Sequence, residues 1–171
     1  FRGSEDDVLD RFLGAAEQTN AGVILRICAD APLFDIETAD AVVRELLEKN
    51  VDAVFMDGDT PHVLAGFEAI THAALKRIAA ITLDDQFARE HVGVFLGIHP
   101  RYYPDKNKDF TRALLTPHPT FRATRVPVSI DTQEDYDHVK RVYDRFYKEG
   151  DVIALEEVLL SLGENEALGH I

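Results

Sequence analysis

Apolar and polar positions along the first third of the chain switch between two periods. Val8, Leu9, Phe12, Leu13 and Ala16 recur at helical spacing behind Ser4 and Asp7, whose separation resembles a capping box. Asn20 to Gly22 break that helix, and Val23 to Ile27 form an apolar run with a single arginine, which predicts a fully buried strand. A helical pattern begins near Asp35 and runs from about Thr38 to Lys49 with Val42, Val43, Leu46 and Leu47 inward, until Asn50 ends it. Val51 to Met56 read as another short buried strand. Helix, strand, helix, strand is the rhythm of a parallel sheet covered on both faces.

The middle of the chain is less regular. Asp57 to Pro61 read as a turn, Gly66 to Thr71 as a strand and Ala73 to Ile81 as a short helix. Arg89 to Ile98 mixes both periods and is expected to be strand-like after Val92. His99 to Asp109, "HPRYYPDKNKD", is a polar, proline-punctuated loop. Phe121 to Ile130 is rich in β-branched residues and reads as a strand, with Pro127 pointing to an edge or irregular position. Thr132 caps a long helix through Tyr136, Val139, Val142, Tyr143 and Phe146, Gly150 ends it, and a last helix covers about Leu155 to Leu162. With no internal repeat and no linker, residues 1–171 are expected to form one domain with an α/β, doubly wound, mostly parallel sheet.

Composition narrows the function classes. A chain of 171 residues with 46% apolar and 29% charged positions is ordinary for a globular domain. Its apolar runs fall short of the ~20 residues a membrane helix needs, so no membrane partner is expected. Cys28 is the only cysteine, which excludes a disulfide framework and fits a reducing, cytoplasmic setting. Thirty-one acidic residues against eighteen basic ones give a formal charge of −13, which disfavours nucleic acid and anionic lipid. An anionic ligand would need a local cation, metal or array of backbone N–H groups.

Two carboxylates stand where such a site would form. Asp30 follows the Val23–Ile27 run, and Asp131 follows "VPVSI" and precedes a helix. Ligands of open α/β sheets collect beyond the carboxyl ends of strands. Magnesium takes one or two protein carboxylates and leaves its other positions to phosphate oxygens and water. A helix cap is the alternative role for each aspartate. Arg26 sits inside an apolar run, so a phosphate or an acidic neighbour is expected to face it.

"RGSEDDVLDRF", "VILRICADAPLFD", "REHVGVF" and "SIDTQEDY" occur in the order found in cytidylyltransferases related to CMP-Kdo synthetase, and most resemble the spore-coat polysaccharide biosynthesis protein F subfamily. The resemblance covers nearly the whole chain. It implies a glycosyltransferase-A-like (nucleotide-diphospho-sugar transferase) core, with Asp30 and Asp131 as catalytic Mg²⁺ ligands. It also implies Gly3 and Ser4 at the nucleotide base, with Arg26 and Cys28 on the nucleotide side, Cys28 standing where relatives often carry a cytosine-reading glutamine. Glu68, Arg89, His91 and Phe95 fall on the sugar side, and Phe95 replaces a tyrosine. The implied function is a Mg²⁺-dependent cytidylyltransferase that joins CTP to a sugar, an acidic one by resemblance, with release of pyrophosphate in surface polysaccharide biosynthesis. CTP and the sugar are its partners, and homodimers are usual in the family.

Family members open with a strand and a loop like "L-x-x-R-x-x-S-x-R-L-P-x-K" that binds the triphosphate, and nothing here matches it. The expectation is therefore an N-terminally incomplete core that does not catalyse nucleotidyl transfer alone and exposes a sheet edge. A non-catalytic sugar-nucleotide-binding or interaction module is the rival reading.

Overall fold

A computed structural model describes residues 1–57, 62–64, 67–96, 107–122 and 129–167. The chain is mixed α/β, with a mostly parallel four-stranded sheet in the order β1-β3-β2-β4. By residue contacts it forms two compact units that interleave in sequence: Phe1–Arg26, Ala41–Phe55 and Glu68–Leu115 in the first, and Ile27–Asp40, Met56–Phe67 and Thr116–Ile171 in the second.

In the first unit, α1 (Val8–Thr19) is capped by Asp7, whose carboxylate accepts from the Asp10 N–H at 2.9 Å. Asp7 rather than Ser4 is thus the cap, and the Ser4 hydroxyl instead accepts from the Asp6 N–H at 3.3 Å. Asn20 ends α1 in the left-handed region at φ 55°, which asparagine tolerates because its side chain is short and polar. β1 (Val23–Ile27) has the expected bounds but is half-buried, because it ends the strand order and has a strand on one side only among the described residues. α2 (Ile36–Lys49) starts where Asp35 accepts from the Thr38 N–H at 2.8 Å, and the boundary between the units falls within it. β2 (Ala53–Met56) runs antiparallel to β3 (Phe67–Thr71), with Ala53 opposite Ile70 and Val54 opposite Ala69.

Thr71 caps α3 (His72–Ile81) by accepting from the Ala74 N–H. α4 (Gln86–Glu90) and α5 (Val92–Phe95) follow, where a strand was expected after Val92. Val92, Gly93, Phe95 and Leu96 are all buried, and that spacing belongs to one helical face rather than to alternation. These helices and the sheet share a core of Leu9, Phe55, Ile70, Leu75, Ile78, Val92, Phe95 and Phe110. β4 (Arg112–Leu115) was not anticipated; its four residues are too few for a clear period.

Asp52 gathers three of these elements. Its backbone carbonyl accepts from Thr71 N–H, and its N–H donates to the carbonyl of Thr111. Its carboxylate accepts from the Thr111 N–H at 2.8 Å and from Arg77 Nη1 at 3.0 Å. The Arg77 guanidinium also lies 4.1 Å from the centre of the Phe110 ring.

In the second unit, a 3-10 turn (Pro119–Phe121) stands at the start of the expected Phe121–Ile130 strand, whose residues 123–128 lie outside the described set. α6 (Gln133–Phe146) is capped by Thr132 as expected, and α7 (Leu155–Ala167) extends past the predicted end. Most of the 57–61 turn and of the 99–109 loop also lies outside the described residues.

Replacing Asp52 by alanine orphans the Thr111 N–H and removes an anchor of Arg77. We expect a loss of about 2–3 kcal/mol in urea unfolding, most of it from the Thr111 bonds, because Arg77 is half exposed.

Candidate active site

Asp30 reaches its position through a tight turn. The Ala31 N–H donates to the Cys28 carbonyl at 3.2 Å, while Ala31 and Leu33 are buried and anchor the loop. Asp30 itself is left exposed. Its backbone carbonyl accepts from the Ile130 N–H at 2.7 Å, so the two segments ending in Asp30 and Asp131 lie side by side within the second unit.

Asp131 is held from the helix that follows. Asp135 Oδ2 accepts from the Asp131 N–H at 3.2 Å, the Thr132 N–H at 2.8 Å and the Thr132 hydroxyl at 2.8 Å. Thr132 returns a bond from the Asp135 N–H, which completes a capping box. The Thr132 hydroxyl, then its backbone N–H, hold the Asp135 carboxyl below its ordinary value of 3.8. The cap is therefore fully formed above that value and lost only as pH falls through the lowered one. The Asp131 carboxylate accepts from the Ser129 hydroxyl at 3.2 Å and is otherwise open to solvent. Further along α6, the Tyr143 hydroxyl donates to the Pro32 carbonyl at 3.1 Å.

Asp30 and Asp131 offer hard carboxylate oxygens, and no group of three or more His, Cys, Asp or Glu that could hold a metal occurs among the described residues. A fully protein-ligated ion does not suit this donor set. A hydrated Mg²⁺ that takes its remaining oxygens from water and phosphate does.

In the first unit, Arg26 meets an acidic neighbour, one of the two alternatives its sequence context left open. Its Nη1 lies 2.9 Å from Glu68 Oε1, and Glu68 is 3% exposed. Two residues expected on the nucleotide and sugar sides are thus partners in a buried ion pair. Burial pushes the Glu68 carboxyl above its ordinary 4.5, and Arg26 pulls it back in part.

Arg89 donates from Nε to Asp7 Oδ2 at 2.7 Å, so its charge is balanced within the protein. It borders a cleft of about 320 Å³ with Asp6, Asp7, Leu83, Asp84 and Gln86. Three carboxylates beside one guanidinium leave that cleft negative, unlike the cationic sugar contact expected of Arg89. His91 is exposed, with its ring against Phe87 at 4.6 Å between centroids. Phe95 is 1% exposed and packs edge-on against Phe110, in the interior rather than on a pocket wall. Gly3 and Ser4 are exposed, and a Cβ at position 3 would come within 3.0 Å of Arg11 Cγ. Cys28 is half-buried. Asp7, Asp135 and Tyr143 were not singled out as site residues. A Thr-x-x-Asp pattern marks Asp135 and a capping-box spacing marks Asp7, though not its pairing with Arg89, and nothing local marks Tyr143.

A mixed α/β sheet thus carries Asp30 shortly after β1, with the segment leading to Asp131 bonded beside it. The fold is shared with a solved cytidylyltransferase structure from Leptospira borgpetersenii serovar Hardjo-bovis (strain JB197), at a TM-score of 0.79 and 22% identity over 98% of this chain and 67% of that one. The chain belongs to the cytidylyltransferase family, whose family model matches residues 1–160. It is 33% identical over 161 residues to the spore coat polysaccharide biosynthesis protein SpsF of Bacillus subtilis (strain 168), covering 94% of this chain and 63% of that protein. It is 31% identical over 175 residues to the uncharacterized protein MJ1063 of Methanocaldococcus jannaschii, covering 100% of this chain and 65% of that protein. The chain thus spans a little under two thirds of the length of these curated relatives.

Two substitutions separate structural from functional roles here. Arg26→Ala leaves the buried Glu68 carboxylate without this partner and should lower stability at neutral pH by about 3–5 kcal/mol. Because a raised carboxyl contributes stability below its unfolded value and loses it as pH rises through the folded one, the deficit should shrink as pH falls toward 4.5. Urea midpoints against pH read both effects. Phe95→Tyr should destabilise by about 1–3 kcal/mol through a hydroxyl buried in the core, and unchanged stability with altered sugar binding would restore Phe95 to a pocket.

Proposed function

We propose that this chain carries the metal-binding half of a cytidylyltransferase site that couples CTP to a sugar, with release of pyrophosphate, in polysaccharide biosynthesis. The observation that carries the reading is the 2.7 Å bond from the Ile130 N–H to the Asp30 carbonyl. It sets beside each other two aspartates that the sequence keeps far apart, in a chain of the cytidylyltransferase family.

In this reading Asp30 and Asp131 hold Mg²⁺ together with phosphate oxygens of the nucleotide. Bound there, the ion would supply charge neutralisation at the transferring phosphoryl group and orient the attacking sugar hydroxyl. The two carboxylates supply geometry, and the Ser129 hydroxyl on Asp131 Oδ2 orients one of the ligand oxygens. The phosphate charge must come in against a background of −13, so a cation at these carboxylates also makes the approach of CTP favourable. Gly3 and Ser4 are the base-side candidates, with Cys28 at the turn that carries Asp30. His91 is exposed and is the remaining candidate for sugar hydroxyls or a sugar carboxylate. An acidic sugar, a homodimer and a cytoplasmic setting complete the proposal.

The test is pyrophosphate release from CTP, Mg²⁺ and a panel of acidic and neutral sugars by the protein expressed from its complete reading frame. Asp30→Asn and Asp131→Asn should each lower kcat by about 10²-fold or more, the scale seen when one preorganised electrostatic partner is lost. Chelation of divalent ions should abolish release, and Mg²⁺ should restore it. Binding of a cytidine sugar nucleotide with no turnover for any sugar would favour the binding-module reading.

A further inference from the structure

The two aspartates are fastened to one helix at two heights. At the N-terminus of α6, Asp135 takes the Asp131 N–H, so Asp131 moves with the helix. Ten residues further along, at about 1.5 Å per residue, the Tyr143 hydroxyl reaches the Pro32 carbonyl, 111 residues away in sequence. The Ile130–Asp30 bond joins the two loops between these points.

The buried Ala31 and Leu33 anchor the Cys28–Pro32 turn from below, but the Ile130–Asp30 bond alone ties it to the Asp131 segment at a single point. A second fixed point removes the freedom to pivot about that bond. Pro32 suits the purpose, because its ring locks its own φ and restricts Ala31 before it to extended backbone. Holding the Pro32 carbonyl therefore fixes the direction in which Asp30 leaves the turn. The ring of Tyr143 is half-buried and lies 6.1 Å from that of Tyr147, so the phenol is held by packing as well as by its hydroxyl.

We propose that Tyr143 is a positioning residue for the metal site: its hydroxyl holds the Asp30 turn on the helix that carries Asp131 and so sets the separation of the two carboxylates. The proposal rests on the reading of Asp30 and Asp131 as metal ligands. Removing the hydroxyl leaves both ligands in place but widens the range of separations they sample, so an ion bridging them binds less tightly. The loss of one neutral hydrogen bond predicts a weakening of about 2- to 10-fold.

The experiment measures Mn²⁺ affinity by electron paramagnetic resonance, with and without CTP, in the protein expressed from its complete reading frame. Wild type is compared with Tyr143→Phe, Tyr147→Phe, Asp30→Asn and Asp131→Asn, and amide hydrogen exchange at Ile130 is followed in parallel. Tyr143→Phe should weaken Mn²⁺ binding by about 2- to 10-fold and speed Ile130 exchange. Tyr147→Phe, at the cap that ends the same helix, should change neither. If Asp30→Asn and Asp131→Asn abolish binding while Tyr143→Phe matches wild type, the positioning role is overturned and the metal site stands. If neither aspartate variant changes Mn²⁺ affinity, the metal reading itself falls. Loss of the folded state in Tyr143→Phe, seen by circular dichroism, would assign the hydroxyl a global role and also overturn the proposal.

Discussion

The candidate site depends on one backbone hydrogen bond, from the Ile130 N–H to the Asp30 carbonyl at 2.7 Å. Neither partner is a side chain, so the contact does not depend on which residues occupy those positions. It depends on where the chain is led. The Cys28–Ala31 turn aims the Asp30 carbonyl outward because Ala31 and Leu33 are buried beneath it. The capped start of α6 presents the Asp131 segment because Asp135 fastens it. Two local devices, a tight turn and a capping box, meet in a long-range contact. The two aspartates beside that contact are both exposed to solvent.

The first unit handles charge in the opposite way. There, ionic groups are paired: Arg26 with the buried Glu68, Arg89 with Asp7, and the half-exposed Arg77 with Asp52. A buried pair of this kind contributes little net stability, because desolvation offsets much of the attraction. What it contributes is register, since a misplaced strand would strand a charge without a partner. Glu68 lies on β3 and Arg26 on β1, neighbouring strands in the sheet order, so their pairing specifies which residues of those strands face each other. The contrast between the units follows from chemistry. Charges that fix a fold are satisfied internally, whereas carboxylates that are to receive a cation must be left open.

Legibility from sequence follows the range of the interactions. The bounds of β1 and the Thr132 cap were readable because a Thr-x-x-Asp pattern and a continuous apolar run are local signals. The half-burial of β1 was not, since an apolar run reads the same at the end of a sheet as at its centre. Val92–Phe95 was misread as extended because a run that is apolar throughout hides its period, and only packing shows that Val92, Phe95 and Leu96 share one face. The strand-end context of Asp30 was legible through fold-level reasoning, while its adjacency to the Asp131 segment was not. Asp7 with Arg89 spans 82 residues and Tyr143 with Pro32 spans 111, and no local pattern reports on either. Arg26 is the instructive middle case: its need for a phosphate or an acidic neighbour was readable, and which of the two it meets, and in which residue, was not.

A site with only two carboxylates would hold Mg²⁺ weakly, because most of the coordination shell stays with water. That weakness suits a reaction whose substrate carries its own oxygen ligands. A cage of three or four carboxylates would bind the ion before the nucleotide arrived, and would leave too much negative charge facing the phosphates. With two, in the proposed reading, the ion and the nucleotide would each complete the other's binding, and the −13 background would disfavour phosphates that arrive without a cation. Such mutual completion requires that the two carboxylates hold their separation in the absence of the ion, for otherwise the ordering cost would fall on the weak step. The turn, the Asp135 bond to the Asp131 N–H and the phenol on Pro32 all hold backbone groups, and the Asp131 carboxylate carries a bond from the Ser129 hydroxyl alone among the described residues. Rigid backbone beneath free carboxylates is the arrangement that a shared metal–nucleotide site requires.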